Sequence, residues 1–299
     1  MTFSSSTSVD PVVLVIGDVL IDEMRTPLGS VDVPGGSALN VAVGLAVLGV
    51  PSVLAAMVGD DAAGSALRAH LHSHGVPLLA TAAPRGTGRA VSDRTDGEPR
   101  YSFSDASRSR TILPTDALRD VAARADLIVV SGFPFDDPAE LATLLSLIPR
   151  GARLAIDANP RPGLLRDRAA FAEGLLGIAA GAVLVKLGAE DAELVFGVSL
   201  SSATTRVLAA GADTVLETAG AQGASLVTAH ERWSVPVAAV PGRVVDTMGA
   251  GDATFATVVE ELAASGGHRV HHPRAVLTRA MSVAAATIRS SGGLLRLPG

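Results

Sequence analysis

From Thr115 onward, strand-like and helix-like runs alternate along the chain, and that rhythm limits the possible folds more than any other feature. Thr115 to Ala125 is patterned as a helix, and Leu127 to Val130 is a β-prone run. Further strands are expected at Arg153 to Ile156, Ala182 to Val185 and Thr214 to Glu217. Helices are expected between them, over 168–178, 191–196 and 202–210. Asp137-Pro138-Ala139-Glu140 reads as a helix start, with an N-cap Asp, proline at the first helical position and Glu three residues on. Leu141, Leu144, Leu145 and Ile148 would then face the core. Repeated strand–helix–strand units predict a three-layer α/β/α sandwich around a mostly parallel sheet.

The first half joins that sheet and also departs from it. Val12 to Ile16 is a continuous β-branched run, as in a strand buried on both faces. Ser37 to Leu48 is apolar nearly all round, which predicts a buried helix. Ser52 to Val58 is the next strand, and Ala63 to His74 a helix closed by Gly75. Residues 19–34 and 81–110 break the rhythm. Arg89 to Arg94 and Arg100 to Ser104 look like strands around an Asp96-Gly97 hairpin turn. Together these pieces predict a small β-sheet lid over a pocket, or else a decorative hairpin. Residues 1–10 are expected to be a flexible tail, and residues 11–299 one domain with its lid.

In open parallel sheets, ligands bind beyond the carboxyl ends of the strands. Asp18 and Asp22 follow the first strand, and Asp157 and Asn159 follow the Arg153 strand. Lys186 and Thr218 follow the next two. A second feature lies at Val245 to Phe255. Gly249-Ala250-Gly251 separates a β-prone run from a helix expected over Ala253 to Ala264. Such a turn exposes helix N-terminal N–H groups to an anion. Asp252 would sit beside that anion, where a carboxylate fits the role of a base acting on a hydroxyl. A capped helix start is the plainer reading.

Asp246-Thr247-Met248-Gly249-Ala250-Gly251-Asp252 resembles the D-T-x-G-A-G-D signature of the ribokinase-like (PfkB-type) carbohydrate kinases. Gly35-Gly36-Ser37-Ala38-Leu39-Asn40-Val41-Ala42 and Val58-Gly59-Asp60-Asp61 resemble the amino-terminal signature of that family. The resemblance runs from about Val12 to Pro298 and implies a ribokinase-like fold with an ATP-dependent kinase activity. It implies that Asp252 is the general base and that the amides of Gly249, Ala250 and Gly251 stabilise the moving phosphoryl group. It implies that Asp22, Asn40, Gly35 and Gly36 meet sugar hydroxyls. Thr218-Ala219-Gly220-Ala221-Gln222-Gly223 resembles T-x-G-x-x-G, so Thr218, Gly220 and Gly223 would line the nucleotide phosphates together with Lys186. Met281 would pack near the adenine. Mg²⁺ would be supported through Asp191. Asp246 would either help hold a monovalent cation such as K⁺ or serve only the turn.

Asp157-Ala158-Asn159-Pro160-Arg161-Pro162 is similar to the D-P-N-x-R-P run of fructokinases and 2-keto-3-deoxygluconate kinases. With Gly17-Asp18 after the first strand, it implies a fructose-like substrate touching Asp18, Asn159 and Arg161. Arg161 would meet an acidic group or simply lie on the surface. Departures stand at Gly188 and Asp191, within Lys186-Leu187-Gly188-Ala189-Glu190-Asp191, where the family pattern is K-x-N/S-x-x-E. Either metal affinity or turnover suffers for it, or Glu190 substitutes. Glu217 before Thr218 is a further departure. A nucleoside kinase and a non-catalytic carbohydrate-binding protein are the alternatives. Members of the family often form dimers through the lid, so a homodimer is expected.

Composition narrows the classes. The net charge is −6 with scattered basic residues, which suggests no nucleic-acid partner. Cysteine is absent, which fits a cytoplasmic protein and excludes thiolate chemistry. No long uncharged apolar run predicts a membrane span. Lys186 is the only lysine among 24 basic residues. Gly17-Asp18-Val19-Leu20-Ile21 lacks the spaced glycines of a nicotinamide-dinucleotide turn. His70, His72 and His74 fit a solvated helix end better than a metal site, and Trp233 fits strand packing.

Overall fold

The computed structural model describes residues 13–27, 29–93 and 100–299. The expected tail at 1–10 and the Asp96-Gly97 turn lie outside the described residues. In chain order, β1 (Val13–Gly17) is followed by β2 (Leu20–Thr26), β3 (Gly29–Gly35), β4 (Ser52–Val58) and β5 (Leu78–Ala82). Then come β6 (Gly88–Asp93), β7 (Arg100–Phe103), β8 (Leu127–Ser131), β9 (Leu154–Asp157) and β10 (Leu184–Gly188). β11 (Val215–Thr218), β12 (Ala224–Val227) and β13 (Arg232–Val235) end the series.

Among the described residues, nine strands form one sheet in the order β13-β12-β11-β10-β9-β8-β1-β4-β5. It is parallel except where β12 pairs with β11 and β13. The order reverses at β1, which lies between β8 and β4. A sheet of this kind opens a crevice at that reversal, past the strand ends at Gly17 and Ser131. Alternate residues of β1 feed two cores. Val13 and Val15 join the core under the helices Ser37–Val47, Ala250–Ala264 and Pro273–Thr287. Leu14 and Ile16 join the core on the other face.

The smaller sheet has the order β3-β2-β6-β7. It leans on the rim of the crevice from two sides. A side chain at Gly163 would run into the Phe103 ring of β7. One at Gly292 would meet Val33 of β3 at 3.5 Å.

Several local expectations need correction. β5 was not foreseen, so Thr81 and Ala82, expected in the lid, belong to the edge of the large sheet. Leu145 is 52% exposed, and Leu147 occupies the buried side instead. Asp137 caps its helix, accepting from the amides of Ala139 and Glu140. The Glu140 carboxylate accepts from Thr111 Oγ1 at 2.5 Å and from the Ile112 amide at 3.0 Å, so its bonds anchor the segment that leads into the preceding helix, Asp116–Arg124. The helix expected from Ala253 begins at Ala250, because Gly249 takes the N-cap position. Among the described residues, no helix is long and apolar enough to cross a membrane.

Candidate active site

Gly249 turns the chain into the helix Ala250–Ala264 with a left-handed φ of 76°. Only glycine adopts that conformation freely. A side chain there would also collide with the backbone of Gly293. The turn places Asp252 in the first helical turn, only 8% exposed. Ser37 Oγ donates to Asp252 Oδ1 at 2.7 Å, and Asn40 Nδ2 donates to Oδ2 at 2.8 Å. Both donors come from the helix Ser37–Val47, whose N-terminus faces that of the Asp252 helix. Ser37 Oγ also lies 2.5 Å from Ser131 Oγ at the end of β8. Neutral donors therefore hold this carboxylate.

Asp18 and Asp22 border the same crevice. Asp18 Oδ1 accepts from the Ala38 amide at 3.2 Å. Burial pushes the Asp18 carboxyl up, and the Arg110 guanidinium opposes that rise. Arg110 donates from Nη1 to the Gly132 carbonyl at 2.5 Å, while its buried Nε finds no partner among the described residues. Burial in turn pulls the Arg110 guanidinium down. Asp22 is pushed up to about 7, first by burial and then by repulsion from Asp18, with Arg161 opposing. A side chain at Gly35 would overlap the Asp22 carboxylate, and one at Gly36 would press on the Asp18 backbone. Asn159 is nearly buried and has φ 36°, the only positive φ of a non-glycine among the described residues. Such a conformation is strained and is found preferentially at functional sites. Arg161 is exposed at the rim, and its charge reaches both Asp18 and Asp22.

The other half of the crevice is built on β9, β10 and β11. Lys186 Nζ meets Asp157 Oδ1 at 2.8 Å, with both side chains buried. Burial pushes Asp157 up to about 6 against the pull of Lys186, and its Oδ2 has no partner among the described residues. Burial alone would pull the Lys186 ammonium down. Asp157 and Asp191 outweigh it and hold the lysine above its ordinary value. A side chain at Gly251 would meet Lys186 Cε at 3.3 Å and Nζ at 3.4 Å. The ammonium thus backs the same turn whose amides open the Asp252 helix, an arrangement suited to an anion.

Asp191 Oδ2 accepts from the Gly188 amide at 2.7 Å, closing the turn after β10. Glu190, its alternative, is exposed. Thr218 ends β11 directly beside Gly188. Gly220 opens a short 3₁₀ turn, Gly220–Gln222, and Gly223 follows it. Glu217 has a structural reason. Its buried carboxylate accepts from Thr204 at 2.7 Å and from Arg232 at 2.5 and 3.0 Å, pinning the strand that presents Thr218. Asp246 Oδ1 accepts from the Met248 amide at 3.1 Å, within the turn. Met281 is 6% exposed inside the apolar core, so its thioether is packed rather than presented to a ligand surface.

The structure therefore brings together residues that lie far apart in the chain. It adds Ser37, Ser131, Arg110 and Gly293, which the sequence reading did not single out. Ser37 lies inside a recognised motif, and a hydroxyl residue at the start of its otherwise apolar helix was the available signal. Arg110 sits in an irregular polar segment and gave none.

The profile of the pfkB family carbohydrate kinases matches residues 13–298, and the chain belongs to that family. It is thus a carbohydrate kinase, a phosphotransferase. A fructokinase of Salmonella typhimurium is 31% identical over 268 residues, covering 85% of this chain and 85% of that protein. The fold is shared with solved ribokinase-like structures. An aminoimidazole riboside kinase from Salmonella enterica, complexed with aminoimidazole riboside and an ATP analog, superposes with a TM-score of 0.75. It is 24% identical, covering 96% of this chain and 97% of that one. A fructokinase double mutant from Vibrio cholerae O395, in a form with fructose, ADP and potassium ion bound, also gives 0.75. It is 21% identical, with 95% and 94% covered.

Proposed function

We propose that this kinase transfers the γ-phosphoryl group of ATP to a hydroxyl of a fructose-like sugar, with Asp252 as the general base. The substrate oxygen forms a bond to the γ-phosphorus as the bond from that phosphorus to the β–γ bridging oxygen breaks. The hydroxyl proton goes to Asp252, and ADP carries away the bridging oxygen. The observation that carries this reading is the position of Asp252. It sits one residue past a lysine-backed, amide-lined turn, and neutral donors hold both of its oxygens. A carboxylate has about four lone-pair sites, so Ser37 and Asn40 leave it room to accept a substrate hydroxyl.

Asp18, Asp22, Gly35, Gly36, Asn40 and Asn159 border the acceptor, with Arg161 at its rim. The amides of Gly249, Ala250 and Gly251, together with Lys186, meet the phosphoryl oxygens. Thr218, Gly220 and Gly223 line the remaining phosphates. The donor set fits a nucleotide phosphate, since the space above Gly251 is one that a methyl group would fill. Asp191 fits a Mg²⁺ held through water, and Asp246 fits a K⁺ beside the turn. The metal would neutralise charge on the phosphates. The small sheet acts as the lid and carries the contact of a homodimer.

The likeness to aminoimidazole riboside kinase favours one second reading, a nucleoside-like acceptor. A coupled ADP-release assay decides between them, run with fructose, 2-keto-3-deoxygluconate and a nucleoside panel. Turnover on fructose or the keto acid supports the reading. Turnover on nucleosides alone replaces it, and ADP release from none of them points to a binding protein.

A further inference from the structure

Ser37 and Ser131 belong to neither the acceptor contacts nor the phosphate contacts described above, yet both are buried beside Asp252. Ser37 is 5% exposed and Ser131 is fully buried. Ser37 Oγ uses its only proton on Asp252 Oδ1. Its 2.5 Å contact with Ser131 Oγ must then be one in which Ser131 donates. The direction of the chain is thereby fixed, from Ser131 Oγ–H to Ser37 Oγ–H to Asp252 Oδ1. Hydrogen bonds in series polarise one another, and a bond to a carboxylate is stronger than one between neutral groups.

The relay ties three separate elements together. Ser131 ends β8, Ser37 opens the helix Ser37–Val47, and Asp252 lies in the first turn of the helix Ala250–Ala264. The need for a fixed position is electrostatic. The carboxylates of Asp18, Asp22 and Asp157 all feel the charge of Asp252, and the ammonium of Lys186 attracts it from the phosphate side. Unheld, the carboxylate would turn under the competing pull of Lys186 and repulsion of these carboxylates. Asn40 restrains one oxygen. One bond leaves the carboxylate free to pivot, and a second stops the pivot.

We propose that Ser37 is a positioning residue for Asp252 and that Ser131 in turn fixes the Ser37 hydroxyl. This rests on the kinase reading only where the readout is turnover, so the test has two arms. In the first, Ser37→Ala lowers kcat by about 10- to 100-fold, the scale of a misplaced reacting group, and leaves KM for ATP at its wild-type value. Ser37→Thr, which keeps a hydroxyl, restores kcat. Ser131→Ala acts in the same direction with a smaller loss. In an Asp252→Asn background, Ser37→Ala gives no further loss of kcat, because the two changes act through one group.

The second arm needs no substrate. Crystal structures of Ser37→Ala and Ser37→Thr show the Asp252 carboxylate displaced in the first and in its present place in the second. Wild-type kcat in Ser37→Ala, or an unmoved carboxylate in its crystal structure, overturns the proposal. If the wild type releases no ADP with any acceptor, the kinase reading fails and the crystal structures alone decide the role of Ser37.

Discussion

The two halves of the crevice solve the same electrostatic problem differently. On the side proposed to meet the phosphates, Asp157 is in direct contact with Lys186, both are buried, and Asp157 Oδ2 has no partner among the described residues. On the side proposed to meet the acceptor, Asp18 and Asp252 are held by a backbone amide, a hydroxyl and a carboxamide, while Arg110 acts on Asp18, and Arg161 on both Asp18 and Asp22, through space. An ion pair fixes charge firmly but is expensive to break. Neutral donors orient carboxylates and leave them free to accept a proton. The difference is what the proposed phosphoryl transfer would require, with one side neutralising charge and the other moving a proton.

That contrast can be broken by substitution. The largest effect is expected from Asp252→Asn, which keeps the size of the side chain and removes the proposed base. ADP release with sugar should fall by about 10²–10⁴-fold. Lys186→Met should instead cost stability, about 3–5 kcal/mol in urea unfolding, because it strands the buried Asp157 charge. Adding Asp157→Leu should return most of that loss. If Lys186→Met unfolds like the wild type, the two halves do not differ as described.

Gly251→Ala sharpens the comparison further. Its new methyl group would lie 3.3–3.4 Å from Lys186, a contact that a lysine end can relieve. Alanine is about 1 kcal/mol better than glycine within a helix. Stability should hold or rise, while KM for ATP rises and kcat falls.

The smallest effect concerns Asp22. Its folded value of about 7 lies above the ordinary 3.8, so its charged form opposes folding. Its contribution to stability is fully present below about 3.8 and is lost as pH rises through about 7. Asp22→Asn should therefore unfold later than the wild type above that window, by about 0.5–2 kcal/mol. The gain should vanish below it, and sugar affinity should drop at every pH.

The sequence revealed elements better than edges, and motifs better than partners. β1 was legible because a β-branched run buried on both faces has few other uses. The helix carrying Asp252 was legible too, although its start was misplaced by three residues because the glycine turn itself supplies the N-cap. β5 was missed because its burial is mixed, as befits an edge strand. Leu145 was misread because its helix is apolar on more than one face, and periodicity then cannot choose which leucine turns outward. Asp252, Asn40, Asp22 and Lys186 could be placed at strand ends and motif positions. That Asp157 pairs with Lys186, that Arg110 reaches Asp18, and that Gly293 packs against Gly249 are facts of tertiary contact. Nothing local to those residues encodes them. Glu217 shows the reverse case, a departure from pattern whose reason appeared only with Thr204 and Arg232.

Lys186 also gives the molecule a built-in unfolding reporter. A protease that cleaves only after lysine has one target in the entire chain, the bond to Leu187 within a central strand. Cutting there requires the middle of the sheet to come apart, so limited digestion counts molecules that have opened completely. Ligands that grip the crevice would slow that single cut in proportion to how firmly they hold the two halves together.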